Sequence, residues 1–322
     1  MKKVTIAWLI TAASLVLLGA LIFGGTLLAL RFDFSALCTT KYETNTHTVS
    51  EPFQSISLTT SVSDVTFVQS EDSTCSVVST ESAKTRHTVI TENGILTVKR
   101  TDTRKWYEHI SIFSKKEHIT VYLPENEYAS LLVKGSTGDV RLPEGLVFGN
   151  AEVLISTGSV TCSSDVTQLL KIKTSTGDIR ITNAFVGEME LTVSTGNVNV
   201  HAVNVTGELR VKVSTGDSEL SDVRCGSLTS NGSTGELEIS NVIATERFSI
   251  ERSTGDVKLE RCDAGEIYIK TDTGDVNGSL LSDKIFIPRS DTGHIHVPKT
   301  TTGGVCEVET DTGNIKFVII SH

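Results

Sequence analysis

The sequence is short of positive charge. Lys and Arg number 29 against 39 Asp and Glu, so the formal net charge is −10. No basic stripe is left over to neutralise phosphates, which excludes a nucleic-acid binder. The chain also lacks a His-Glu-x-x-His motif, a Gly-x-Ser-x-Gly motif and a phosphate-binding loop. We therefore expect no catalytic residue, no cofactor and no enzymatic activity.

Proline is scarce, with five residues, whereas small hydroxyl residues are abundant, with 43 Thr and 35 Ser. The mean hydropathy of +0.01 is too high for a disordered chain. Thr and Val both favour strands, so this composition predicts a β-rich protein with a polar surface.

Charge is absent from one long segment at the N-terminus, Val4 to Leu30. At about 1.5 Å per residue its 27 residues make a helix of ~40 Å, enough to cross a hydrocarbon core of ~30 Å. A cleaved signal peptide has an apolar region of only about 7–15 residues and ends at a small-x-small site, which is missing here. We predict an uncleaved transmembrane anchor over residues 1–31. Lys2 and Lys3 precede it, which favours a cytoplasmic N-terminus with the bulk of the chain outside the membrane.

A tripeptide returns every 19 or 20 residues from Ser136 onward. It reads Ser-Thr-Gly seven times and then Asp-Thr-Gly three times. The ten turn glycines are Gly138, Gly158, Gly177, Gly196, Gly216, Gly235, Gly255, Gly274, Gly293 and Gly313. Self-similarity at this period indicates stacked units, each too small to bury its own apolar face.

Apolar residues alternate strictly with polar ones on both sides of each turn glycine. The positions seven and five before it, and two and four after it, are apolar in nearly every copy. The exceptions are Ser218, Ser230, Gly278 and Pro288. A period of two on both sides predicts two short strands per unit with one face inward, joined by a turn at a glycine of positive φ.

A stack of coils fits this pattern better than a meander of hairpins, because a meander does not require both connections to keep a near-constant length. The column six residues before the glycine also alternates in sign from coil to coil: Glu152, Lys171, Glu190, Arg210. We predict an all-β fold, a single-stranded β-solenoid of about ten coils over residues 131–322. One transmembrane helix precedes it.

Residues 32–130 are predicted to form an irregular β lead-in and cap. The stretch His87 to Arg100 reads as a hairpin through Asn93-Gly94, and His118 to Leu123 reads as a strand. Ser61 to Phe67 looks like a degenerate coil with Ser63 in the place of the glycine. The aromatic stretch from Thr101 to Lys116 is expected to cover the first coil, since terminal coils need caps.

The lead-in, the Asn-Gly hairpin, the strand end Val121-Tyr122-Leu123-Pro124 and the serial Ser-Thr-Gly-Asp turns resemble the bacterial Toastrack or putative adhesin family. The resemblance covers about residues 50–320. It implies a β-strand-repeat domain of unknown function in the cell envelope, adhesin-like or linked to envelope-stress systems. It implies no established reaction and no catalytic residue.

Acidic side chains follow most of the turn glycines, and three Asp precede the last Thr-Gly pairs. Each carboxylate is expected to cap its own turn, and calcium bridging along the column is the alternative. His294 and His296 share an outward face, where Asp275 and Asn314 on neighbouring coils could complete a weak metal site. The weak metal candidates are Asp256, Asp272, Asp275, Asp291, His294 and His296.

The six cysteines contain no Cys-x-x-Cys pair. Cys162, Cys262 and Cys306 are expected to face inward as small hydrophobic residues. Cys38 with Cys75 remains the one conceivable disulfide.

Three functions stay open. The first is a non-enzymatic, membrane-anchored surface rod that binds a protein or a cell-wall glycan. The second is a regulatory partner of an envelope-stress signalling complex. The third and least favoured is a solenoid enzyme acting on polysaccharide, because a constant period leaves no insertion to wall a cleft.

The final strand, Phe317 to Ile320, has no later coil in the sequence to cover it. We expect it to form an uncovered edge through which the rod self-associates.

Overall fold

The computed structural model describes residues 3–29, 31, 41–71, 73–105 and 117–320. Within these ranges the chain forms one helix, α1 (Lys3–Ala29), and 26 strands joined in one continuous sheet. The stretch Thr5–Ala29 is exposed, has a mean hydropathy of 2.4 and is long enough to cross a membrane. A membrane anchor and a signal sequence both have these properties.

Seven strands precede the Ser-Thr-Gly repeats. They are β1 (Tyr42–Val49), β2 (Ser55–Thr59), β3 (Ser63–Gln69), β4 (Cys75–Ser82), β5 (Thr85–Glu92), β6 (Ile95–Asp102) and β7 (Glu117–Leu123).

The remaining strands belong to the repeats. They are β8 (Glu127–Thr137), β9 (Val140–Leu142), β10 (Val147–Thr157), β11 (Val160–Cys162), β12 (Asp165–Thr176), β13 (Ile179–Thr182), β14 (Phe185–Thr195), β15 (Val198–Val205), β16 (Glu208–Thr215), β17 (Ser218–Thr234), β18 (Leu237–Ser240), β19 (Ile243–Thr254), β20 (Val257–Cys262), β21 (Glu266–Thr273), β22 (Val276–Leu280), β23 (Lys284–Thr292), β24 (Ile295–His296), β25 (Gly304–Thr312) and β26 (Ile315–Ile319).

The repeats form a β-solenoid of about ten turns, as predicted. Strands of successive coils pair in parallel with like positions opposite each other, for example Glu152 with Lys171 and Lys171 with Glu190. This register brings Lys171 Nζ to 3.5 Å from Glu190 Oε2. The inward positions form one continuous hydrophobic core along the stack, in which Cys162, Cys262 and Cys306 are fully buried. Cys75 is also buried, whereas Cys38 lies outside the described residues.

The lead-in contributes a coil of its own to this stack. Strand β2 pairs in parallel with β8, and β3 pairs in parallel with β9. The carbonyl oxygen of Ser63 lies directly beneath Gly138, so Ser63 occupies the glycine position of that coil.

The hairpin of β5 and β6 closes the N-terminal end of the stack. Its two strands pair antiparallel around Asn93 and Gly94, as the sequence predicted, and β6 pairs in parallel with β2. Strands β1 and β4 pair antiparallel, and β4 also pairs antiparallel with β7, which covers β3. Of the aromatic stretch expected to cover the first coil, residues 106–116 lie outside the described residues.

The last two coils are stacked out of sequence order. Strand β25 pairs with β21 on one side and β23 on the other, and β26 pairs with β22 and β24. The final coil therefore lies between the two coils that precede it in the chain. The expectation of an uncovered edge at Phe317 to Ile320 is corrected in part. Strand β24 covers the start of β26 at Ile315 and Lys316, whereas Phe317 to Ile319 pair with β22 and with no second strand among the described residues. Self-association through this edge stays a prediction. The terminal coil of the stack consists of β23 and β24.

Gly278 and Pro288 both fit this order. Gly278 lies opposite Phe317, and a Cβ on this glycine would lie 2.2 Å from the Phe317 ring. The large ring of one coil thus fills the space that the missing side chain leaves in the next. Pro288 lies in β23, where its lack of an N–H group suits a strand that has a partner on one side only.

Candidate functional site

The ten turn glycines form a column in which only glycine fits. Their φ angles lie between +129° and +158°. A Cβ on Gly216 would lie 2.1 Å from the carbonyl oxygen of Gly196, and the other turn glycines meet a backbone carbonyl at similar distances. Each turn therefore needs glycine both for its backbone conformation and for the close approach of the neighbouring coil.

The polar residue after most of the turn glycines binds the next coil instead of capping its own turn. Asp178 Oδ1 accepts a hydrogen bond from the Asn197 amide at 2.8 Å, and Asn197 Oδ1 accepts one from the Asp217 amide at 2.9 Å. The same bond recurs through Asp139, Asp217, Asp256 and Asp275. This ladder of side-chain acceptors gives the column a structural role along the rod.

The metal candidates are not brought together in one cluster. Asn314 lies between Asp275 and His294, because the final coil is inserted there; it donates to Asp275 and accepts from the His294 amide at 2.9 Å. His296 lies opposite Lys316, whose cationic side chain disfavours a metal ion there. Among the described residues, no group of three His, Cys, Asp or Glu side chains could hold a metal ion.

The other acidic candidates also have structural neighbours. Asp256 accepts the Asp275 amide at 2.8 Å, and Asp291 lies 3.7 Å from Arg289 Nε. Asp272 and Asp291 lie in the coils on either side of the one that holds Asp311.

A groove of about 480 Å³ follows a different corner of the solenoid. It crosses six successive coils, which is about 24 Å at the usual strand spacing. Its walls are formed by Ala184, Phe185, Ala202, Val203, Asn204, Asp222, Arg224, Asn241, Ile243, Arg261 and Leu281. We name this surface the corner groove.

The corner groove combines an exposed aromatic ring with polar side chains. Phe185 is 66% exposed, whereas neighbouring Val203 is buried. Phe185 lies opposite Asn204, Asn204 opposite Arg224, and Arg224 opposite Ile243, so these side chains form one outward column.

The two arginines of the groove have no side-chain partner among the described residues. The groove's carboxylate, by contrast, is engaged: Asp222 Oδ1 accepts from Asn241 Nδ2 at 3.1 Å, and its Oδ2 lies 3.6 Å from His201 Nδ1. Within the described part of the chain, Arg224 and Arg261 therefore provide two unpaired cations, on a sequence whose net charge is −10.

The sequence reasoning missed this corner because it followed the glycines. The corner is made by residues of positive φ that are not glycine, namely Asn183, Ala202, Asp222, Asn241 and Arg261, with φ between 53° and 55°. Asn and Asp tolerate this conformation best, so the recurrence of Asn183, Asp222 and Asn241 in step with the repeat was the available signal.

A buried arginine lies inside the solenoid, away from the corner groove. Arg252 is 4% exposed, and its Nη2 donates to Ser230 Oγ at 2.9 Å. Its Nε is buried without a hydrogen-bond partner among the described residues. Burial lowers the pKa of Arg252 to about 10, although the Asp217 carboxylate opposes this shift. Ser230 and Gly232 are smaller than the residues at the equivalent inward positions of the neighbouring coil, and they leave the space that the Arg252 side chain occupies.

The cap holds a second buried polar group around Glu81 and His87. Glu81 Oε1 lies 3.1 Å from His87 Nδ1 and also accepts the His87 amide at 2.7 Å. Burial lowers the pKa of His87, and its attraction to Glu81 only partly opposes this. Burial would raise the pKa of Glu81, but hydrogen bonds from Ser79, Asn45 and the His87 amide outweigh it and lower the pKa.

Comparisons with known proteins place these observations in a family. A family model described as Toastrack DUF4097 matches residues 53–217 and 205–286. A comparison with curated protein sequences found no match.

Solved structures of low identity also align. One is a putative adhesin from Parabacteroides merdae, with 15% identity, a TM-score of 0.45 and coverage of 87% of this chain and 97% of that chain. Another is a putative adhesin from Bacteroides fragilis, with 14% identity, a TM-score of 0.40 and coverage of 86% and 97%. A third is a putative lipid binding protein from Parabacteroides distasonis, with 14% identity, a TM-score of 0.38 and coverage of 87% and 98%.

Proposed function

The chain belongs to the Toastrack DUF4097 family, and on that premise we propose that it is a non-enzymatic, membrane-anchored protein of the cell envelope. Its solenoid is presented outside the membrane as an adhesin-like binding surface. The N-terminus lies in the cytoplasm, and residues 4–30 form the anchor.

The corner groove is the observation that supports a binding role most directly. It is a long concave surface with an exposed aromatic ring and two guanidinium groups that have no side-chain partner among the described residues, features that are typical of recognition sites. A rigid stack of coils holds these groups at fixed positions, so little conformational entropy is lost when a ligand is bound.

The anchor is supported by the length and apolarity of α1, whose described side chains are exposed. The cap is the part of the solenoid nearest to α1 along the chain. The opposite end is therefore the part most free to meet a partner.

Protease treatment of intact cells tests the proposed topology. An epitope tag placed before Lys2 and a second one after His322 report on the two ends of the chain. We expect protease to remove the C-terminal tag from intact cells while the N-terminal tag survives until the cells are lysed. Survival of both tags in intact cells would contradict the proposal.

Attachment assays test the binding role on the same cells. Cells that carry the chain are expected to adhere to purified cell-wall glycan or to host-cell surfaces better than cells that lack it. The matched control is a chain without residues 4–30, which is made but not anchored. Equal attachment by all three strains would remove the adhesin-like role.

A further inference from the structure

We propose that the corner groove binds an acidic polysaccharide of the uronate type, with carboxylates at Arg224 and Arg261 and a sugar ring against Phe185. This inference rests on the proposed function and names the ligand class that the binding surface recognises.

The charges of the groove select an anion. Arg224 and Arg261 have no side-chain partner among the residues described, whereas Asp222 accepts a hydrogen bond from Asn241 Nδ2 at 3.1 Å. Guanidinium groups bind carboxylates through paired, charge-assisted hydrogen bonds. The two arginines lie two coils apart, which corresponds to about 10 Å at the usual strand spacing. A chain that carries carboxylates at regular intervals can reach both.

The remaining groups suit a carbohydrate. The exposed Phe185 ring offers an apolar face against which the C–H side of a sugar ring can pack. The amides of Asn204 and Asn241 supply hydrogen-bond donors and acceptors for hydroxyl groups. Because equivalent positions line the groove in successive coils, the groove is suited to an extended ligand.

The backbone disfavours an acidic peptide as the occupant. Peptides that add to a sheet need a free strand edge. The walls of the groove belong to internal strands, and β15 for example pairs with β13, β14 and β17. A ligand must therefore be held by side chains, as a glycan is.

Calorimetry on the full chain in detergent micelles tests the proposal, with hexagalacturonate as the probe. Methyl-esterified hexagalacturonate has the same backbone without the charges and is the matched control ligand. We expect the acid to bind and the ester to bind at least tenfold more weakly, the scale of a charge-assisted hydrogen bond.

Three variants locate the site. R224Q and R261Q are each expected to weaken binding of hexagalacturonate about tenfold or more. F185A is expected to weaken binding of the acid and of the ester by the same factor. Arg141 is exposed and does not line the groove, so R141Q matches the charge change and should leave affinity within about twofold. Unchanged circular dichroism shows that the variants fold.

Equal binding of the acid and the ester overturns the proposal, as does affinity for the acid that R224Q and R261Q leave unchanged. Tighter binding of poly-L-glutamate than of hexagalacturonate also overturns it, in favour of an acidic protein. None of these results bears on the protease and attachment assays, so failure of this inference is distinguishable from failure of the proposed function.

Discussion

At the residue scale, Gly216 shows why the turn tripeptide is constant. Its φ of +132° is a conformation that side chains with a Cβ avoid, and the neighbouring coil leaves no room for a methyl group. Gly94 in the hairpin also has positive φ, at +74°, but nothing lies within 4 Å of the Cβ it would carry. A side chain at Gly94 would meet backbone strain alone, whereas one at Gly216 would meet both backbone strain and a clash with the neighbouring coil.

We expect Gly216→Ala to destabilise the chain far more than Gly94→Ala. The hairpin variant should lose about 1–2 kcal/mol, the cost of a left-handed residue with a Cβ. The turn variant must also displace a neighbouring backbone and should lose more than about 3 kcal/mol. Urea unfolding midpoints measure the loss of stability in both variants. Equal losses would show that the neighbouring coil makes room for a methyl group at Gly216 at no cost in free energy.

The buried Arg252 leads to the opposite prediction. A buried cation with one hydroxyl partner is less favourable than an apolar side chain of similar volume. The double variant Arg252→Met with Ser230→Ala also removes the hydroxyl that would otherwise lose its partner. We expect it to raise the free energy of unfolding by about 1–3 kcal/mol. The control Arg252→Ala leaves a cavity over Gly232 and should not raise the free energy of unfolding. A lower free energy of unfolding in the double variant would instead mean that Arg252 stabilises the fold.

At the element scale, the cap is the part of the molecule most sensitive to acid. The pKa of His87 is lower in the folded chain than its ordinary value of 6.5. The unfolded chain therefore takes up the proton first as the pH falls, and stability is lost between about pH 6.5 and the lower folded pKa. Glu81 adds a second loss at lower pH, because its pKa is below 4.5 in the folded state.

The variant His87→Asn isolates the first of these losses. Asparagine can donate to Glu81 from nearly the position of Nδ1, but it does not titrate. We expect the urea midpoint of the wild-type chain to fall between pH 7 and pH 5.5, and that of the variant to fall less. Identical profiles would mean that another group governs stability in this range.

The order of the last coils can be measured with paired cysteines. Asn277 and Lys316 are opposite each other on adjacent strands, whereas Asn277 and His296 are two coils apart. Disulfides need Cα atoms within about 7 Å, and two coils span about 10 Å. The pair N277C and K316C should therefore crosslink under mild oxidation, and N277C with H296C should not. Crosslinking of N277C with H296C, but not with K316C, would show that the coils stack in the order of the sequence.

The repeat made most of the fold predictable from the sequence, but it did not predict the stacking order of the last coils. Strict alternation around ten glycines was enough to predict the solenoid, its register and its inward cysteines. Two of the four exceptions to the alternation, Gly278 and Pro288, lie in the last three coils, but the alternation alone does not decide which coils are neighbours in the stack. That choice depends on Gly278 and Phe317, two residues 39 positions apart whose volumes compensate only in three dimensions.

The corner groove escaped prediction for a related reason. Its lining residues are ordinary outward positions when read one coil at a time. Asp222 and Arg224 are two residues apart in the sequence. Asp222 accepts from Asn241, whereas Arg224 has no side-chain partner in the described part of the chain, and only the stacking of coils reveals that difference.

At the scale of the whole molecule, the rod is built from nearest-neighbour contacts, and we expect it to tolerate the loss of whole coils. Deleting residues 139–177 removes two coils and joins Gly138 to Asp178, which restores a Gly-Asp turn. The chain without residues 1–40 should still fold with this deletion and be shorter by about 10 Å in solution scattering.

A deletion that breaks the period is the matched control. Removing residues 139–167 takes away one and a half coils and sets outward residues against the core. This variant should lose its β-sheet signal in circular dichroism or aggregate. Equal folding of both deletions would mean that the coils do not have to stack in register.

The inserted final coil has a consequence for how the molecule is made. A ribosome or a translocation channel delivers the chain from its N-terminus, so each coil up to Leu280 can settle on its predecessor as it emerges. Residues 284–296 cannot do so, because their neighbour, residues 304–319, has not yet appeared. The tip of the rod is therefore completed last and in one step, and a chain whose synthesis stops before Gly304 has a tip that cannot close.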